Sequence, residues 1–231
     1  KNQHIQLDTF DGLLNEATIH AEGEITNLSK RIFDFELDSP NLRLSRYEHL
    51  LAPNGGLPLR GLAAARVRIS GTPDDFTAET RLDAGRVRLG KIRFSNLAMN
   101  ARYNDGVLSI SHATTEVMQS AATLDLTLNL RRPHRPISGS LYARGDVDDY
   151  FTFTQDSIAA CPVEVDAEIS GTLANPMLLG NFSATLVPAA ADSIPFNSAF
   201  SVHNKTMRLI STRSPEQHFI VNWNSRPIGV Q

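Results

Sequence analysis

The chain of 231 residues has one cysteine and one tryptophan, and aromatic residues make up only 7% of it. The lone Cys161 has no partner for an internal disulfide, so a disulfide framework is excluded. It precedes Pro162 and has no His or Asp spaced to activate it, which reads as a buried or loop thiol rather than a nucleophile. No apolar run reaches the roughly 18–20 residues of a membrane span. Lys and Arg number 22 against 25 Asp and Glu, so the net charge of −3 supplies no basic field for nucleic acid. The seven histidines, His4, His20, His49, His112, His134, His203 and His218, are scattered, and neither HxH, HExxH nor CxxC occurs. Asp146, Asp148 and Asp149 lack the rest of a calcium loop and read as a solvated turn. GxSxG, Walker A and GxGxxG are missing as well. No metal, cofactor or enzymatic activity is expected. With Trp223 as the single tryptophan, a sugar-stacking platform is disfavoured too.

What the sequence does have is strict alternation of apolar and polar residues, the mark of strands half buried in a sheet. Phe33, Phe35 and Leu37 fall on one face of "FDFEL", with Asp34 and Glu36 opposite. Val67 and Ile69 alternate with Arg66 and Arg68. Leu124, Leu126, Leu128 and Leu130 alternate with Asp125, Thr127 and Asn129, and Val163, Val165, Ala167 and Ile169 repeat the pattern. The dipeptide Asp105-Gly106 after Asn104 predicts a tight hairpin, since these residues tolerate positive φ. That hairpin puts Leu97, Met99, Ala101 and Tyr103 on a face with Leu108 and Ile110. Near Gly90 the apolar parity changes, from Val87 and Leu89 to Ile92 and Phe94, which predicts a bulge or turn. Helix is scarce: "LSRYEHLLA" (Leu44–Ala52) fits one short amphipathic helix and "VDDYFTF" (Val147–Phe153) a single turn or a strand. The alternate basic residues of "RVRLGKIRF" (Arg86–Phe94) read as solvated charges or edge-strand protection.

One phrase recurs. "EISGTLANPMLLGNFSATL" (Glu168–Leu186), "RISGTPDDFTAETRL" (Arg68–Leu82) and "AEGEITNLSKRIFDFEL" (Ala21–Leu37) each join alternating stretches through a turn signal. Phe182 and Leu186 carry the apolar face to the end of the first of these. Their glycines, Gly23, Gly71 and Gly171, stand 48 and 100 residues apart, suggesting a period near 50. A single β-repeat domain over 1–231 is expected, with units of approximately 1–60, 61–135 and 136–231. Lys1 is not a methionine and no compositional tail closes the chain. It is therefore expected to be part of a longer one, with any signal or anchor outside it.

These phrases resemble the repeating units of the AsmA-like superfamily of diderm bacteria, above all the TamB-type translocation and assembly module subunits. The likeness is carried by Ile169-Ser170-Gly171-Thr172-Leu173-Ala174-Asn175-Pro176 followed by Leu178–Leu186, by "PISGSLYARGD" (Pro136–Asp146) ahead of it, and by the meander Gly85–Ser111. It covers most of Gln6–Leu186 and weakens beyond Val187; at Gly71 the phrase has Asp74-Asp75 in place of Asn-Pro. The resemblance implies an elongated, curled, antiparallel-rich sheet, the β-taco, with an apolar groove and a wet outside. It further implies a periplasmic bridge tethered to the inner membrane by an N-terminal anchor, passive phospholipid transport towards the outer membrane, and a BamA- or TamA-like barrel partner. Phe33, Phe35, Leu37, Val67, Ile69, Leu97, Met99, Leu108, Ile110, Leu124, Leu126, Leu128, Leu130, Val163, Val165, Ile169, Phe182 and Leu186 would line the groove. Periodicity by itself fits a closed β-sandwich first; the repeated unit and the family likeness favour the open groove. An assembly module that engages barrel strands by β-augmentation is the alternative function.

Overall fold

In the computed structural model, residues 4–47, 58–90, 92–117, 120–146, 158–188, 192–203, 206–211 and 218–222 are described. Among them the chain is β-strand throughout, apart from turns and one 3-10 turn at Leu44–Tyr47. That turn begins where a short helix over Leu44–Ala52 was expected; residues 48–52, like the Val147–Phe153 stretch, lie outside the described residues.

Contacts divide the chain into Lys1–Met118 and Gln119–Gln231. The first unit is an antiparallel meander of β1 (Ile5–Leu14), β2 (Ala17–Asn27), β3 (Ile32–Arg43), β4 (Leu59–Thr72), β5 (Asp75–Leu89), β6 (Ile92–Asn104) and β7 (Val107–Val117). Each strand pairs with the one before it in sequence. The second unit comprises β8 (Ser120–Asn129), β9 (Ile137–Asp146), β10 (Ile158–Ala160), β11 (Pro162–Gly171), β12 (Pro176–Pro188), β13 (Ile194–His203), β14 (Thr206–Ser211) and β15 (His218–Asn222). Its order is β8-β9-β11-β12-β13-β14-β15, with β10 paired to the far end of β12. The architecture is all-β and open. No pairing among the described residues closes either meander, so the closed sandwich is not formed.

Turn chemistry explains the recurring phrase. Thr72 pairs with Asp75 around Pro73-Asp74, and the Asp75 N–H donates to Thr72 Oγ1 at 3.2 Å. One hundred residues on, the Asn175 N–H donates to Thr172 Oγ1 at 3.1 Å. The threonine hydroxyl thus adds a side-chain acceptor to each turn, and at Thr172 the backbone carbonyl accepts the same N–H at 3.1 Å. The preceding glycines, Gly71 (φ 127°) and Gly171 (φ 92°), pair with Phe76 and Pro176. A β-carbon there would meet the facing carbonyl of Asp75 at 2.4 Å or of Asn175 at 2.6 Å. The phrase is therefore a hairpin specification. Gly23 has no equivalent place: it sits within β2 under the Phe35 ring, and the β2–β3 connection is made by Asn27 Oδ1, which accepts the Lys30 N–H at 3.0 Å.

Asp105 (φ 50°) and Gly106 (φ 74°) form the expected two-residue hairpin, with Asn104 facing Val107. Positive φ at both central positions matches the right-handed twist of the flanking strands. The parity change near Gly90 is a turn, Leu89 pairing with Ile92 across it. A second change lies inside the strands. Between Ala84 and Val87 the apolar parity of β5 slips, and β6 slips opposite it at Asn96 (φ 52°). Both strands turn over at one level, which keeps Leu82, Ala84, Val87 and Leu89 on a common face with Phe94 and Leu97. They converge on a cluster with Leu44, Leu59 and Ala63, so the 3-10 turn folds a leucine over this end of the unit's apolar side.

Candidate functional site: the apolar face

Register places the apolar side chains in rows that run across the strands. In the first unit one row is Leu7, Gly23, Phe35, Ile69, Ala78, Tyr103 and Leu108, and its neighbour is Ala21, Leu37, Val67, Thr80, Ala101 and Ile110. A third runs Ile25, Phe33, Gly71 and Phe76, with the Phe76 and Tyr103 rings 5.1 Å apart. In the second unit the rows are Leu124, Leu141, Ala167, Gly180, Phe200 and Leu209, then Leu126, Gly139, Ile169, Leu178, Val202 and Met207. A shorter one runs Ala122, Ala143, Val165, Phe182 and Ser198.

The expected groove residues fall on these faces. Phe33, Phe35, Leu37, Val67, Ile69, Met99, Leu108 and Ile110 share the apolar side of the first unit, all half-buried. Leu97 shares it too but packs against the Leu44 cluster. In the second unit Leu124, Leu126, Val163, Val165, Ile169 and Phe182 are half-buried and Leu128 is buried. Leu130 lies just past the end of β8 and is exposed. Leu186 pairs with Ile194 through its backbone, and its side chain is outside the described residues. Sequence reading missed Leu82, Leu141, Leu178, Phe200, Val202, Met207 and Leu209. The signal was present in "FNSAFSVH", where Phe196, Ser198, Phe200 and Val202 alternate with polar residues and Ala199.

Half-burial is the informative quantity. A side chain sealed between two sheets loses nearly all its exposure, whereas these large apolar side chains keep part of theirs, and the fully buried apolar residues are mostly small or gathered near Leu44. Gly139 and Gly180 interrupt the second unit's rows where strands approach closely: a β-carbon would lie 2.1 Å from the carbonyl oxygen of Asp125 or Asp166.

The opposite face is polar. Its rows include Glu22, Glu36, Arg68, Glu79, Arg102 and Ser109, and His20, Asp38, Arg66, Arg81, Asn100 and Ser111. Arg68 grips Asp34 with two bonds, at 3.1 and 2.7 Å, and this hydrogen bonding holds the Asp34 carboxyl below its ordinary value and raises Arg68. Arg66 lies 3.4 Å from Glu36 and 3.3 Å from Asp38, and Arg81 lies 2.9 Å from Asp83. In the second unit the Tyr142 hydroxyl donates to Glu164 at 2.7 Å, which pushes the phenol above its ordinary value. A dish of about 460 Å³ opens over this face, lined by Glu22, Glu24, Asp34, Glu36 and Arg68. It is a space between solvated charges, unsuited to an apolar guest. Among the described residues no group of three or more His, Cys, Asp or Glu could hold a metal ion, and no helix is long and apolar enough to cross a membrane.

No family model, curated protein or solved structure matches the chain.

Proposed function

We propose that the chain is a non-enzymatic segment of a lipid conduit, in which the apolar face shields phospholipid acyl chains and lets them pass along it. The observation that carries this reading is the run of cross-strand apolar rows left half-exposed on one side of each meander. The open antiparallel architecture also supports the likeness to AsmA-like, TamB-type subunits. On that likeness the chain belongs to a periplasmic bridge between the inner and outer membranes, anchored through a segment outside it and working with a BamA- or TamA-like barrel in outer-membrane biogenesis.

The energetics are coherent with passage. Burying one acyl methylene stabilises by about 0.8 kcal/mol, so a chain of about 15 gains roughly 12 kcal/mol over water. The gain is nearly equal at every position along a uniform apolar trough. A level potential permits sliding and gives no direction, and a charge in the trough would act as a trap.

Paired photo-crosslinkers test the reading. A probe replacing half-buried Leu126 should capture phospholipid in the producing cell, while one replacing exposed Thr127, on the other side of β8, should not. Equal capture from the two positions would refute a one-sided conduit. Capture of nascent barrel protein at Leu126 would support the second reading, strand addition. That reading is favoured by β1, which carries Ile5, Phe10 and Leu13 at 50%, 53% and 78% exposure beside the paired β2.

A further inference from the structure

The arginines of β4, β5 and β6 form a row that the apolar face does not explain. Arg60 is directly opposite Arg88, and Arg88 is directly opposite Arg93. Arg86 lies two residues along β5 on the same side, and the four line a concavity of about 380 Å³ together with Ser95 and the intervening row Gly61, Val87 and Phe94, whose two side chains belong to the opposite, apolar face. Edge protection does not account for them, because β5 is hydrogen-bonded on both sides. Like charges directly opposite destabilise a strand pair. Elsewhere on this polar face arginines are matched with carboxylates: Arg66 with Glu36, Arg68 with Asp34, Arg81 with Asp83 and Arg102 with Glu79. Among the described residues none of the four forms an ion pair. Arg88 Nε donates to the Gly90 carbonyl at 2.8 Å, which steadies the side chain without neutralising it. The acid in the adjoining row, Glu116, is separated from Arg86 by Ser95.

Four cations around one hollow, without acids to answer them, match an anion that brings several charged oxygens at once. The guanidinium fork bonds phosphate oxygens in pairs and gives up its hydration readily. Strands about 4.8 Å apart set the outer two arginines of the row about 10 Å apart at the backbone, within reach of a common guest. We propose that this concavity binds a phosphorylated anion, a phosphomonoester or diphosphate, free or carried on a lipid headgroup. It lies on the polar side and does not rest on the conduit reading.

Titration calorimetry of the full chain with inorganic pyrophosphate should give saturable binding. Arg88→Gln, which removes the centre of the row, should weaken it at least about tenfold, the effect of losing one charge-assisted contact. Arg66→Gln, on the same face but outside the hollow, should leave it unchanged. Arg88→Gln should melt no lower than the parent, since it relieves like-charge contacts, so lost binding would not be lost fold. Flotation with phosphatidylcholine vesicles, with and without phosphatidic acid, separates the sources. Flotation that requires phosphatidic acid, and that pyrophosphate and Arg88→Gln both abolish, supports a headgroup ligand. Pyrophosphate binding without flotation supports a soluble one. Absence of both, or equal loss in Arg66→Gln and Arg88→Gln, overturns the proposal.

Discussion

Replacing Gly71 by alanine, beside the same change at Gly85, asks whether the hairpin phrase is a steric requirement. At Gly71 the backbone has φ of 127°, and the new β-carbon would stand 2.4 Å from the Asp75 oxygen and 2.9 Å from the Phe76 α-carbon. Holding an L-residue in that conformation costs about 1–3 kcal/mol. The contacts are with backbone, so relieving them opens the Thr72–Asp75 pair and adds to the loss. A net destabilisation of about 2–4 kcal/mol is expected. Gly85, in the next strand, is exposed, outside the left-handed region, and has nothing within 4 Å of an added β-carbon. Alanine there restricts the unfolded chain and should stabilise by about 0.4–1 kcal/mol. Urea denaturation followed by far-ultraviolet circular dichroism should move the two midpoints in opposite directions. In thermal melts each kcal/mol corresponds to roughly 2–4 °C at this chain length. If Gly71→Ala stayed within about 0.5 kcal/mol of the parent, or both variants shifted the same way, the close approach would not govern the turn.

Two further outcomes follow from the geometry. Thr172→Val removes the hydroxyl acceptor of the Asn175 N–H but leaves the Thr172 carbonyl, 3.1 Å from the same donor, so it should cost only about 0.5–1 kcal/mol in thermal melts while Thr172→Ser costs nothing. Arg68 lowers the folded pKa of Asp34, so the pair's contribution is present above the ordinary carboxylate range and is lost as pH falls through the folded value. Both side chains are substantially exposed, so solvent screening keeps that contribution small. Melts of the parent and Asp34→Asn should differ at neutral pH and converge in strong acid; a difference that persists there would assign the effect to something other than ionisation.

Legibility followed the regularity of the backbone. The β8 stripe could be read because nothing interrupts its alternation between Ala122 and Leu128, and every side chain keeps its side. The Asp105-Gly106 and GT-x-x hairpins could be read because their geometry depends on residues next to one another in the chain. The double slip at Gly85 and Asn96 was hidden for the opposite reason. Each strand alone looks irregular, and only their pairing shows that the irregularities cancel. Gly23 misled because a glycine needed for an overlying Phe35 ring looks the same in sequence as one needed for a turn. The arginine row was visible as alternating charge, yet its meaning depends on Arg60 arriving opposite Arg88 from 28 positions upstream.

Nearly every strand lies against its immediate predecessor in the chain. Partner search is therefore local: a newly made segment meets a finished template, and among the described residues no pairing waits for the far terminus. Such neighbour-by-neighbour topology keeps contacts near the diagonal and favours rapid ordering, with stability accumulating increment by increment as in other linear arrays. Assembly can keep pace with a polypeptide delivered from one end, and the order in which residues arrive becomes the order in which the sheet grows.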